Sequence, residues 1–289
     1  SFSTSFYPQH DSILNYTQVF FSWPQIVGSN SYEINITSDL SSIDYYSDVN
    51  SIIISDLFWD RVYNWQVCGL DSLNEIMHCY DEFTFTVNVI PFVYPSSINV
   101  ITYDEASSLE GITVLDYESL SYSVALDITG NLVWYADKSN FPNSKIIVTE
   151  FLDNGNFIGY GQFGYEFTID SDIVFQTPNH VHHSIVKSSY NTYFSIDGIN
   201  EEHQCPDSEL CGDQNMVWKG DHFLEVDPNQ NILWEWDTFD YIPLIEQNSQ
   251  WIGFPNPNMI DWTHSNSVYF DEEFNIVYIS MRNLSRITA

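Results

Sequence analysis

Helical periodicity is almost absent from this 289-residue chain, and that absence is its strongest constraint. Short runs rich in Val, Ile, Tyr, Phe and Trp recur about every 8 to 12 residues, bounded by Asn, Asp, Gly, Ser and Pro. This is the pattern of an all-β fold. Between about Tyr7 and Ile90, five runs alternate at sandwich spacing: Val19-Phe-Phe-Ser-Trp-Pro24, Tyr32-Glu-Ile-Asn-Ile36, Ser51-Ile-Ile-Ile54, Tyr63-Asn-Trp-Gln-Val-Cys68 and Phe83-Thr-Phe-Thr-Val87. The stretch Pro91-Phe-Val-Tyr-Pro95 then breaks the strand pattern with two prolines in five residues. The expected organisation is a β-sandwich over 1–92 and a second all-β domain over 93–289.

The second domain repeats a phrase. Asp127-Ile-Thr-Gly-Asn131-Leu-Val-Trp134 returns as Asp227-Pro-Asn-Gln-Asn231-Ile-Leu-Trp234, with a weaker copy at Asp153-Asn-Gly-Asn156-Phe-Ile. Asp with Asn or Gly suits a tight hairpin turn, and an apolar-apolar-Trp strand follows. Such phrases at multiples of roughly 40 to 50 residues predict a β-propeller, with about four blades in the roughly 195 residues beyond the prolines.

Composition narrows the partners. A formal charge of -33, with seven Lys and Arg against 40 Asp and Glu, argues against nucleic acid and anionic membranes, whose phosphates need basic side chains. Any anionic ligand must be held by a small local cluster of donors. The four cysteines form two close pairs that predict the disulfides Cys68–Cys79 and Cys205–Cys211, and their spacing matches no zinc pattern, so no metal is expected. Sequons at Asn15, Asn35 and Asn283 are candidate glycosylation sites and suit an exported chain. No stretch of 18 apolar residues is present, so no membrane span is expected.

The chemistry-bearing residues sit in Asp261-Trp-Thr-His264-Ser-Asn266-Ser-Val268 and Ser280-Met-Arg282. His264 and Asn266 are two positions apart, so on a strand they share a face, and Val268 continues the register. A similar phrase, His182-His183-Ser184-Ile185, lies earlier, and one of two neighbouring histidines is expected to point away from the propeller channel. If both are innermost strands of successive blades, His182, His264 and Asn266 converge on the channel and Arg282 joins them after the turn near Glu272-Glu273. Two imidazoles, an amide and a guanidinium form a donor-rich nest for a tetrahedral oxyanion. Against this, a single histidine on a strand is more often structural than catalytic. Glu201-Glu202 and Glu272-Glu273 read as solvated loops rather than acid–base pairs, and Trp134, Trp218, Trp234 and Trp236 read as packing residues.

Two resemblances follow. The Phe-Ser-Trp-Pro entry with Tyr-x-Ile-x-Ile and Tyr-x-Trp-x-Val resembles a fibronectin type III-like (Ig-like) module. The string Asp-Trp-Thr-His-x-Asn-Ser-Val with Ser-x-Arg, the His-His-x-Ile phrase and the Asp-x-x-x-Asn-x-x-Trp hairpins are similar to the bacterial arylsulfotransferases of the PAPS-independent kind, which are six-bladed propellers. That resemblance covers roughly residues 96 to 289. It implies transfer of a sulfuryl group from a phenolic sulfate ester to a phenolic acceptor, without a cofactor. Catalytic roles pass to His264, Asn266, Arg282 and His182, with His183 binding substrate. In the family a further histidine in a later blade carries the sulfuryl group. None of His10, His78, His180, His203 or His222 matches its phrase, so the expectation is a chain without the nucleophile: a fragment of a longer product, or a relative that binds without turnover. The competing reading is a non-catalytic extracellular module for adhesion or glycan binding.

Overall fold

The computed structural model describes residues 5–92, 101, 104, 106–107, 109, 111–117, 122–212, 214–252 and 258–289. The chain is all-β: among the described residues its helical elements are turns of three or four residues, the longest being Ser208–Cys211 and Thr238–Tyr241. Among the described residues no helix is long and apolar enough to cross a membrane. Contacts divide the chain into two compact units, one of Ser1–Leu120 with Val124–Ala136 and one of Ser121–Ser123 with Asp137–Ala289. The expected linker Pro91-to-Pro95 runs into residues 93–95, which lie outside the described residues.

In the first unit the strands are β1 (Ser12–Leu14), β2 (Val19–Ser22), β3 (Ser31–Thr37), β4 (Ser42–Ser47), β5 (Ser51–Ile54), β6 (Arg61–Leu70), β7 (Ile76–Cys79) and β8 (Phe83–Val87). Six of them form one sheet, ordered β1-β8-β6-β3-β4 with β7 also on β6, and β2 pairs with β5. Strict alternation along β3 buries Tyr32, Ile34 and Ile36, as a half-buried strand requires. Phe21 of β2 meets Trp65 of β6 edge-on at 5.2 Å and Phe85 of β8 at 5.7 Å, so the strand pair closes over the larger sheet through aromatic contacts. Cys68 stands opposite Cys79 in the β6–β7 ladder and the two are bonded, as expected. Strands β9 (Thr113–Tyr117), β10 (Tyr122–Leu126) and β11 (Leu132–Tyr135) make a three-stranded sheet. Its hairpin joins the N-terminal strands through Thr17 N donating to Val133 O (3.0 Å) and Tyr135 N donating to Asn15 O (3.1 Å).

The second unit carries β12 (Ile147–Phe151), β13 (Phe157–Tyr160), β14 (Phe163–Phe167) and β15 (Ile173–His180) as one antiparallel sheet. Next come β16 (Ile185–Lys187), β17 (Tyr193–Gln204), β18 (Asn215–Val226) and β19 (Ile232–Asp237), with β20 (Met259–Asp261) added parallel to β18. A third sheet contains β21 (Ser265–Asp271), β22 (Ile276–Met281) and β23 (Arg286–Thr288). The last two sheets share a core of Phe194, Ile196, Trp218, Phe223, Trp262, Val268, Ile279 and Met281. Cys205 and Cys211 are bonded across the β17–β18 connection. Glu201 and Glu202 are strand residues of β17 rather than loop, and Glu201 pairs with His203 at 2.7 Å; the β17–β18 ladder continues out to Gln204, past where the sequence suggested a turn.

One five-residue turn recurs. At 127–131, 152–156, 168–172, 188–192 and 227–231 the first N–H donates to the fifth carbonyl and the fourth N–H to the first carbonyl. The fourth position is left-handed each time, at Gly130, Gly155, Ser171, Asn191 and Gln230, with φ from 62° to 88°. This is a type I turn closed by a left-handed residue. The two repeated Asp phrases are alike down to the side chains. In each, the Oδ1 of Asp127 or Asp227 accepts from the backbone N–H groups two and four residues on, and Oδ2 accepts from the Asn131 or Asn231 amide. The weaker copy differs: Leu152 takes the first position, and Asn154 Oδ1 instead accepts from Asn156 N.

Candidate functional site

The two histidine phrases occupy corresponding places. His182 and His183 lie in the link from β15 to β16, and His264 lies in the link from β20 to β21, so each sits where the chain passes from one sheet to the next. Both links bend sharply. His183 has φ 62° and His264 φ 46°, left-handed conformations that cost a non-glycine residue roughly 1–2 kcal/mol. Ser184 N donates to His182 O across His183 at 2.8 Å, a three-residue turn. Strain of this kind persists where surrounding contacts enforce it, and it gathers at functional sites.

The bend brings three rings together. His183 packs against His182 with centroids 5.1 Å apart and against His264 at 5.2 Å. Adjacent histidines on a straight strand would face opposite ways, but the left-handed turn at His183 keeps both rings in the cluster. The expected shared face of His264, Asn266 and Val268 fails. His264 precedes β21 in a left-handed conformation, and a bulge between Ser265 and Ser267 takes Asn266 out of the ladder, leaving it exposed while Val268 is buried. Asn266 instead lines a cavity of about 380 Å3 with His183, Ser184, Lys187 and Ser267.

Two buried carboxylates back the rings. His182 Nε2 lies 3.0 Å from Asp221 Oδ1, and Asp221 Oδ2 accepts from Thr263 Oγ1 at 2.6 Å and Ser265 N at 2.8 Å. Asp221, on β18, thereby ties the two links to each other. Burial pushes its carboxyl up, but the bonds from His182, Ser265 and Thr263 outweigh that and hold it below the ordinary carboxylate range. His264 Nδ1 lies 2.6 Å from Asp261 Oδ2, whose other oxygen is 3.9 Å from Lys219 Nζ. For His183, burial first and then the neighbouring His182 and His264 push the imidazole below its usual value, against the pull of Asp221 and Asp261. It is neutral at neutral pH. Nearby, burial raises the Asp197 carboxyl, and His180, His182 and His222 oppose that.

Arg282 follows β22 in an exposed turn. Its backbone N donates to His264 O at 3.2 Å and its guanidinium lies 4.6 Å from the centroid of Trp251, a cation–π contact. Among the described residues its guanidinium has no acidic partner, unlike those of Arg61 and Arg286. No hydrogen bond joins Arg282 or Asn266 side chains to the three rings. Among the described residues no group of three or more His, Cys, Asp or Glu is arranged to hold a metal. Glu272 is in the turn after β21 and accepts from Ser189 N and Oγ.

Sequence reasoning did not assign Asp221, Asp261, Lys219 or Thr263. Asp261 and Thr263 stood within the quoted phrase, and Asp261 was readable as a partner of His264; Asp221 lies far from either phrase and carried no local signal. The sequons also divide. Asn15 and Asn283 are buried, with amides donating to Tyr135 O and Asp261 O, whereas Asn35 is on the surface with its amide 2.6 Å from Asp44 Oδ1. A glycan at Asn15 or Asn283 would displace those bonds, so the expectation narrows to Asn35.

The chain is thus all-β, with histidines on the links between successive sheets and an arginine downstream. The chain belongs to the arylsulfotransferase family: the Arylsulfotransferase (ASST) model matches residues 78–289. No curated protein matches it. Among solved structures it is similar to rhamnogalacturonan lyase YesW, at 9% identity over 94% of this chain and 48% of that one, with a TM-score of 0.22. It is also similar to the twitchin kinase region of C. elegans, at 12% identity over 96% and 40%, with a TM-score of 0.20. The chain thus spans under half the length of either.

Proposed function

We propose that this chain is the anion-binding part of an exported arylsulfotransferase, one that takes a phenolic sulfate ester as donor and a phenol as acceptor. The observation that carries this reading is the meeting of His182, His183 and His264 at two sheet-to-sheet links, backed by Asp221 and Asp261. Asn266 and Arg282 donate to the sulfuryl oxygens, His182 and His264 join them once the ring nitrogen facing the site is also protonated, and His183 contacts the substrate. In the transfer, a histidine nitrogen bonds to sulfur as the S–O bond to the donor phenol breaks. The acceptor phenol oxygen then displaces that nitrogen, and its proton passes to a base. Fixed donors of this kind act on charge that spreads over the equatorial oxygens.

The same reading makes the sheets of 93–289 blades of a propeller and 1–92 a fibronectin type III-like sandwich. Two disulfides and a surface sequon at Asn35 suit export. Calorimetric titration with 4-nitrophenyl sulfate tests it. Arg282→Lys should weaken binding and Arg282→Ala or His264→Ala weaken it more, since lysine keeps the charge and loses the two-pronged fork. Unchanged affinity in all three would overturn the reading in favour of a module that does not bind sulfate esters here.

A further inference from the structure

We propose that Asp221 and Asp261 are positioning residues that fix opposite tautomers on the two paired histidines, so that His182 presents Nδ1 and His264 presents Nε2 to the site. The inference rests on the reading of this cluster as the sulfate site, and it concerns residues that the family motif does not assign.

An ionised carboxylate has only lone pairs to offer, so the ring nitrogen facing it must carry the proton. At His182 that nitrogen is Nε2, 3.0 Å from Asp221 Oδ1. At His264 it is Nδ1, 2.6 Å from Asp261 Oδ2. Each ring therefore has its proton anchored from behind, with the other nitrogen available, and the available atoms differ. Asp221 is the more rigid anchor. Its Oδ2 is held by Ser265 N, a donor that cannot reverse, and by Thr263 Oγ1. The residue is buried, and at neutral pH its lowered carboxyl is charged. Gly198 adjoins the His182 ring: a Cβ there would come 3.7 Å from Cδ2 and Nε2, ordinary contact distance, so the ring is seated against backbone. Carboxylates behind functional imidazoles set ring orientation and basicity in this way.

Asp221→Asn makes the idea sharp. The amide oxygen must take the Oδ2 position, because Ser265 N–H can only donate, and this leaves the amide NH2 facing His182 Nε2. The ring must then accept there, and its proton moves to Nδ1. His264, anchored by Asp261, keeps its own tautomer.

The experiment is nitrogen NMR on the whole chain with 15N-labelled histidine at pH 8, each ring assigned by a His→Gln variant. The wild type should give His182 protonated on Nε2 and His264 on Nδ1, and Asp221→Asn should reverse His182 alone. A wild-type His182 protonated on Nδ1, or an Asp221→Asn ring that stays protonated on Nε2, overturns the proposal; if the variant does not fold, the wild-type tautomers alone decide. Adding 4-nitrophenyl sulfate to the wild type separates the two readings. Tautomers as expected with no response to the sulfate ester would remove the sulfate site and leave Asp221 as a structural anchor.

Discussion

His182 Nε2 sits 3.0 Å from Asp221 Oδ1 at the point where two sheet-to-sheet links meet. Asp221 also accepts from Thr263 and Ser265, so replacing it with alanine strands three donors in a buried setting. Removing one partner of a buried charged network costs about 3–5 kcal/mol. Asp221→Ala should therefore lower unfolding stability by that order in urea titration, while Asp221→Asn loses less because the amide oxygen still satisfies Ser265. A loss under about 1 kcal/mol in the alanine variant would mean that the links hold without it.

The recurring turn makes a second prediction. Gly155 has φ 88°, and a Cβ added there meets nothing within 4 Å. Gly155→Ala should still destabilise by about 1 kcal/mol, since the penalty is in the left-handed backbone rather than in a clash. Gln230 has φ 68° at the corresponding place, so Gln230→Gly should move stability the other way, less what the Gln230 Nε2 bond to Gln176 O contributes. Thermal unfolding of both variants reads the two effects; a Gly155→Ala variant at least as stable as the wild type would exclude a backbone origin.

Much of this was legible in the sequence because it is local. The strand pattern, the Asp127 and Asp227 hairpins and both disulfides are set by residues within a dozen positions of one another, where turn chemistry and period act directly. The histidine cluster was half legible. Residue types and spacing identified His182, His183 and His264, but the face argument assumed regular strands, and left-handed backbone at His183 and His264 with a bulge at Asn266 breaks that assumption. Asp221 was invisible because its partnership with His182 and Thr263 depends on how β18 packs beneath two links. Burial of Asn15 and Asn283 depends on tertiary packing too, which a sequon does not encode.

A third prediction concerns acid. Burial would raise the Glu166 carboxyl, but bonds from Lys187 Nζ (2.6 Å), Tyr193 Oη (2.6 Å), Asn156 and Asn154 prevail and hold it at about 2. Its folded value is below its unfolded one of 4.5, so its contribution is fully present above that unfolded value and is lost as pH falls toward 2. The size is on the order of 2 kcal/mol after allowance for the coupling with Lys187. Wild type minus Glu166→Gln, followed by denaturant unfolding between pH 5 and pH 2.5, should show the gap shrinking as acid is added. A gap that is constant or widening across that window contradicts the charged network.

The last prediction weighs the site against the whole molecule. A sulfate ester approaching a chain of formal charge -33 meets long-range repulsion, whereas Arg282 and the histidine N–H groups act only at contact. Salt screens the two unequally: at about 0.15 M the screening length is near 8 Å, short enough to remove most repulsion from distant carboxylates while bonds made at about 3 Å persist. Affinity for 4-nitrophenyl sulfate should therefore rise as sodium chloride goes from about 10 mM to about 150 mM, the reverse of an anion site on a basic protein. The rise should persist in Arg282→Lys at lower overall affinity, because the repulsion arises elsewhere. Calorimetry at several salt concentrations measures it. Affinity that falls steadily over that range would mean that local cationic attraction outweighs the acidic surface even at low salt.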